Sequence, residues 1–278
     1  MCGGFPVEIR TSCWISRFHT WTVFRVKPGS KAHNACRTPP TEGFIQGGQT
    51  DAGSHAGKVC VLVGASNPVG FCLAQSFLET GYRVAVGDLD PSDFSSLTAV
   101  SGTNLFPVKV NLNRDVYVNS MVDQVYLRWS RVDILVNIAF RRRECAEPLS
   151  ATDLGLDAVS NLIRVTSAFG SRLQGEELAV VNIAWFDEKS LLEADREAVL
   201  QAALRTTTSA MAKKYFDSGL RINAVHTRNA RSTSYVQSET LRTLVQAVQF
   251  LANPELSGKL TGNVLHIDLK PDDSPFRR

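Results

Sequence analysis

Residues 64–70 read Gly-Ala-Ser-Asn-Pro-Val-Gly and stand between a β-branched run and a segment with helical spacing. A glycine turn between a strand and a helix presents backbone N–H groups and a helix N-terminus to an anion, typically a dinucleotide pyrophosphate. Gly64 suits the tight turn, Ser66 lies within it, and Gly70 lets the helix pack close to the strand. Asp88 follows 24 residues after Gly64, at the end of the next β-run. A carboxylate there accepts from ribose hydroxyls and repels a 2′-phosphate. The candidate cofactor contacts in this unit are Gly64, Ser66, Gly70 and Asp88. Pro68 works against them, because it lacks an N–H and brings ring bulk to the expected pyrophosphate. The expectation is no cofactor, or NAD bound weakly.

Other residues with chemical potential lie further on. Asp187 and Glu197 are carboxylates of the kind that serve as general acids or bases. Glu197, however, belongs to the run Glu193-Ala194-Asp195-Arg196-Glu197, a pattern typical of a solvated helix face. Arg141, Arg142 and Arg143 are consecutive and suit phosphate contact, an RNA backbone included; the competing reading is a solvated loop, favoured because few aromatics interleave. The six cysteines include no CxxC pair, so neither a disulfide scaffold nor a metal site is expected.

These positions imply an alternation of elements. Strand candidates are residues 58–63, 82–87, 105–110, 133–137, 178–183, 221–225 and 263–268, separated by helix-length segments. Val118, Met121, Val122 and Val125 repeat at helical spacing, as do Leu241, Leu244, Val245 and Val248. Ser190-x-x-Glu193 is a capping-box pattern and predicts a helix from about 191 to about 217. Pro107 assigns the third strand to a sheet edge. The fold expected is α/β: a doubly wound parallel sheet of Rossmann type, in a single domain over residues 57–278 with an extension over 1–56.

Composition agrees. Hydrophobic residues make up 44% and charged residues 21%, enough apolar material for a sizeable core. The whole net charge of +3 sits in residues 1–55, where six Lys/Arg face Glu8, Glu42 and Asp51; the remainder balances at 24 against 24. A neutral body excludes a chain built around nucleic-acid neutralisation. The extension is acid-poor, Arg-bearing and hydroxyl-rich, as in a mitochondrial transit segment; a cytoplasmic location is the alternative. The uncharged run 59–78 is interrupted by Gly64, Asn67, Pro68 and Gly70, so no membrane span is expected.

The motifs resemble those of the short-chain dehydrogenase/reductase family over residues 57–270. The family's TGxxxGxG reads Val63 to Gly70, and its NNAG reads Asn137-Ile138-Ala139-Phe140, a resemblance that implies Asn137 as a further cofactor-binding residue. Its helix asparagine matches Asn161, followed by Leu162. Its IRVNxVxPG reads Leu220 to Arg228, and its closing TGxxxxVDGG reads Thr261 to Lys270.

The resemblance implies a Ser after the fifth strand and a Tyr-xxx-Lys on the following helix, which move the proton that accompanies hydride. Counting back from Asn223, the tyrosine address is Glu197, the lysine address Gln201, and the serine address Ala184 or Trp185. None of Tyr82, Tyr117, Tyr126, Tyr215 and Tyr235 has Lys four residues later. The expectation is therefore no catalytic residue of the family kind, with Asp187, Glu197 and Asn161 as weak candidates. The reading is a non-catalytic structural subunit with protein partners in a larger assembly. The alternatives are an NAD-binding regulator and a reductase resembling the pteridine reductases. The arm's apolar residues, Trp14 to Val26, are expected to be removed on import or buried outside the α/β body. Deleting residues 1–50 should leave the melting temperature nearly unchanged while abolishing organelle import or incorporation into an assembly. A truncated chain that reaches both the same compartment and the same assembly overturns that expectation.

Overall fold

The computed structural model describes residues 55–140, 151–173, 175–185, 191–228 and 238–268. Seven parallel strands form one sheet: β1 (Val59–Val63), β2 (Arg83–Asp88), β3 (Leu105–Lys109), β4 (Ile134–Phe140), β5 (Leu178–Trp185), β6 (Leu220–Arg228) and β7 (Val264–Asp268). Their spatial order is β3-β2-β1-β4-β5-β6-β7, a doubly wound arrangement in which β3 is an edge, as Pro107 requires. The helices are α1 (Pro68–Glu79), α2 (Ser95–Ser101), α3 (Asp115–Trp129), α4 (Ala151–Gly170), α5 (Leu191–Lys214), α6 (Ser238–Ala252) and the short α7 (Pro254–Ser257).

Strand alternation divides the core. Cys60 and Leu62 of β1, with Val84, Val86, Val136 and Ile183, face Leu73 and Phe77 of α1 and Leu244 and Val248 of α6. The intervening residues Val59, Val61 and Val63, with Ala85, Leu135 and Val180, face α3 through Val118, Met121 and Val125, and α4 through Phe169. Both faces are covered, which is why the central strands read as continuous apolar runs. Burying each large side chain contributes about 1.5–3 kcal/mol.

The central strands run further than their apolar patterns suggest. The β4–β5 ladder continues to the Phe140–Trp185 pair. The fifth helix stops short of the expected residue 217: α5 ends at Lys214, and Phe216–Ser218 form a 3-10 turn closed by Gly219 at φ +77°. A left-handed residue at that point turns the chain into β6.

At the amino edge of the sheet, Asp133 Oδ2 accepts from the Val59 N–H at 2.7 Å, and its carboxylate accepts from Arg131 Nε and Nη2. Arg221 donates to Leu251 O, Ala252 O and Ser257 Oγ, closing the C-terminus of α6. Burial lowers the Arg221 pKa, while nearby Glu177 opposes the shift. His55 stacks on Tyr82 at 4.7 Å, with Nδ1 3.2 Å from the phenol oxygen. Burial pushes the Tyr82 pKa up.

The turn after β1 depends on two close approaches. A Cβ on Gly64 would stand 2.4 Å from Ile138 O, and one on Gly70 would stand 2.1 Å from Ala65 O. Gly57 also has positive φ, but a Cβ there meets nothing within 4 Å. Both Gly64→Ala and Gly57→Ala strain φ, so their difference isolates the collision with β4. Urea unfolding should show Gly64→Ala to be the more destabilising by about 1–3 kcal/mol. Equal losses would show that the approach to Ile138 relaxes without cost.

Candidate functional site

The glycine turn joins β1 to α1 at the carboxyl edge of the sheet, and its polar groups are largely used internally. Asn67 is the N-cap of α1: its Oδ1 accepts from the Gly70 N–H at 3.0 Å, and its Nδ2 donates to Gly64 O at 2.8 Å. Pro68 occupies the first helical position, where its fixed φ favours the helix but supplies no donor. Two of the first three helical positions are thereby withdrawn from anion binding, one lacking an N–H and one already bonded.

Asp88 ends β2 beside this turn. Its Oδ2 accepts from the Ser66 N–H at 2.8 Å and its Oδ1 from the Leu89 N–H at 2.7 Å. Ser66 Oγ donates to Asp90 O at 2.7 Å. Gly64, Ser66, Gly70 and Asp88 are thus brought together as the spacing predicts, and their bonds hold the turn without a ligand. A carboxylate offers about four lone-pair sites, so Asp88 retains capacity for ribose hydroxyls. The turn fits the ribose end of a dinucleotide and fits its pyrophosphate poorly.

Asn137 lies deeper. Its side chain is 3% exposed, between the sheet and the helices. Nδ2 donates to Thr166 Oγ1 of α4 at 3.1 Å and to Asn182 Oδ1 of β5 at 2.9 Å, and Asn182 Nδ2 reaches Thr208 Oγ1 of α5 at 3.4 Å. Four buried polar side chains therefore tie two strands to two helices. Among the described residues Asn137 Oδ1 has no hydrogen-bond partner.

Asn161 stands apart from this ladder. It donates to Asn113 Oδ1 at 2.9 Å and accepts from Arg164, which also bonds Leu112 O and pairs with Asp115. It ties α4 to the segment entering α3. Glu197 and Gln201 both lie on α5, one turn apart. Asp187, Arg141, Arg142 and Arg143 fall outside the described residues, as does almost all of the 1–56 extension. Among the described residues no cluster of three or more His, Cys, Asp or Glu could hold a metal, and no helix is long and apolar enough to cross a membrane.

Sequence reasoning missed the ladder partners Thr166, Asn182 and Thr208, and the pairing of His226 with His266. The two imidazoles face each other in register on β6 and β7, with centroids 5.4 Å apart, and His226 is in register with Ala184 of β5. The available signal was a polar residue inside an apolar strand: Asn182 in β5, and Asn223 and His226 in β6.

With this geometry in view, the likenesses to known proteins are consistent. A sequence model of the family described as Enoyl-(Acyl carrier protein) reductase matches residues 64–237. The chain belongs to the short-chain dehydrogenase/reductase family. It is 30% identical over 105 residues to momilactone A synthase of Oryza sativa subsp. japonica, covering 35% of this chain and 38% of that protein. It is 31% identical over 94 residues to the short-chain dehydrogenase/reductase dpmpG of Macrophomina phaseolina, covering 32% of this chain and 54% of that one. The chain thus spans about half or less of these two relatives. It is 26% identical to 3beta-hydroxysteroid dehydrogenase 2 of Eggerthella lenta, over 77% of this chain and 94% of that one. The apo glucose dehydrogenase of Caenorhabditis elegans shares the fold at a TM-score of 0.62 and 19% identity, over 77% of this chain and 97% of that chain.

The ladder should be the mechanical centre of the site. Asn182→Ala leaves buried groups on Asn137 and Thr208 unsatisfied and should cost about 1–3 kcal/mol. Asn161→Ala, nearer solvent, should cost less than about 1 kcal/mol. Denaturant unfolding of the two variants checks the ranking, and a reversed order would place the supporting bonds at the α3–α4 surface.

Proposed function

We propose that this member of the dehydrogenase family binds and supports rather than turns over, as a structural subunit of a larger protein assembly. The observation that carries this reading is a count back from Asn223, which puts the family's serine address at Ala184 or Trp185, its tyrosine address at Glu197 and its lysine address at Gln201. Glu197 and Gln201 lie one turn apart on α5. A carboxylate at the tyrosine address and an amide at the lysine address do not reproduce the lysine-activated phenol that moves the family's proton. The relatives named above are dehydrogenases and reductases by name, so the fold alone argues for neither outcome.

A mitochondrial setting is supported by the basic, hydroxyl-rich extension. Protein partners are the expected ligands, with RNA phosphate at Arg141, Arg142 and Arg143 as a lesser contact. The second reading is an NAD-binding regulator, favoured by Asp88 and the intact Gly64–Gly70 turn. The Asn67 cap and Pro68 argue that such binding is weak.

Turnover decides first. The purified chain with NADH or NADPH and a panel of ketones, quinones and pterins should oxidise cofactor no faster than a cofactor-only blank. A robust rate abolished by Asp187→Ala or Glu197→Ala overturns the non-catalytic reading. Titration calorimetry should show weak or no NAD binding, strengthened by Pro68→Gly; tight binding by the unmodified chain would favour the regulator. Gentle purification of the endogenous protein should bring down a defined assembly, and a monomer on sizing contradicts the structural role.

A further inference from the structure

At the amino edge of the sheet, opposite the glycine turn, lies a cavity of about 390 Å³ bordered by Lys58, Tyr82, Glu176, Glu177, Arg221 and Pro254. Val132 and Ile134 give it an apolar floor. Of its cations, Arg131 is paired with Asp133, Arg221 is spent on the carbonyls that end α6, and Lys58 is half-buried, so the acids dominate only among the exposed charges. The acids Glu176 and Glu177 are exposed at its border, and exposed Glu255 follows the lining Pro254. Two large apolar side chains stand exposed at the same edge: Leu256 at 63%, in α7, and Phe216 at 70%, in the turn before β6. Acid and apolar surface together call for an occupant that is basic and aromatic.

The chain carries such a segment. Residues 14–31 contain Trp14, Phe18, Trp21 and Phe24 with Arg17, Arg25, Lys27 and Lys31, and no acid. The chain also enters the body at this cavity. His55 is stacked on the lining residue Tyr82, and Lys58, three residues on, is itself part of the border. Lys31 precedes His55 by 24 residues. Twenty-four residues of coil span roughly 25–30 Å on average, enough to reach across the edge. A tether of that length supplies an effective concentration in the millimolar range, so a contact too weak to form between separate molecules is occupied within one chain.

We propose that the amino edge of the sheet is the docking surface for this chain's own segment 14–31. The segment's basic groups face Glu176, Glu177 and Glu255, and its aromatics cover Leu256, Phe216 and the apolar floor. This goes beyond the structural role proposed above and does not depend on it. It gives the arm's aromatics an intramolecular site in place of the external one expected from sequence alone. A contact of this strength adds little to the stability of the body.

Carbodiimide coupling of the dilute full chain, followed by peptide mapping, tests the juxtaposition directly. Lys27 or Lys31 should be joined to Glu176, Glu177 or Glu255 within the monomeric species. Trypsin should cut after Arg17 and Arg25 at least about fivefold more slowly than in the Glu176→Lys/Glu177→Lys variant, whose substitutions are exposed and spare the core. Lys27→Glu/Lys31→Glu, confined to the arm, should lose the same protection, and combining the two pairs should restore it. Cross-links found only in a dimeric species would assign the surface to a second copy's arm and overturn the proposal. Equal cleavage rates in all four proteins, or failure of the combined variant to regain protection, would overturn it as well.

Discussion

The structure turns on one close approach, where the turn after β1 passes the backbone of β4. Ile138 O stands where any side chain on Gly64 would have to go, and Ala65 O does the same for Gly70. The central strand, the first helix and the fourth strand meet at these points, so the α/β layering requires glycine at both positions. The requirement comes from backbone against backbone and exists with no nucleotide present. The glycines of this motif are therefore retained by the fold whether or not the site binds anything.

The same internal sufficiency governs the rest of the site. Asn67 caps α1 and holds Gly64 O, while Asp88 holds the Ser66 and Leu89 amides. In a dinucleotide-binding turn some of these donors face the ligand; here several are satisfied by neighbouring side chains. The Thr166–Asn137–Asn182–Thr208 ladder plays the equivalent part beneath, joining α4 and α5 to the sheet, with Asn137 Oδ1 left without a partner among the described residues. A scaffold stabilised in this way holds its shape through its own side chains.

The fold was legible in the sequence because its signals are local and repeated. β-branched runs, helical spacing in α3 and α6, the glycine turn and Pro107 each specify one element, and the edge position of Pro107 agrees with the doubly wound strand order. The ends of β4, β5 and β6 were less legible, since ladder pairing continues past the apolar run. The site was legible only in part. Asp88 and the glycines carry a spacing that can be read, whereas Thr166 and Thr208 are ordinary hydroxyls on ordinary helices. Only the folded chain shows that these hydroxyls face Asn137 and Asn182. The resemblance alone marks Asn137, and the structure shows its side chain bonded into the ladder.

Pro107 carries a consequence for the chain in a crowded solution. β3 pairs with β2 on one side only, and the Val110 N–H donates inward to Asp88 O. Amide direction alternates along a strand, so the position of Pro107 is one whose N–H would face outward. The imide ring thus sacrifices no bond of the sheet and deletes a donor from the row that a foreign strand would copy. One margin of a seven-stranded parallel sheet is closed to templated growth by a single residue, a safeguard against the self-association to which open sheet margins are prone.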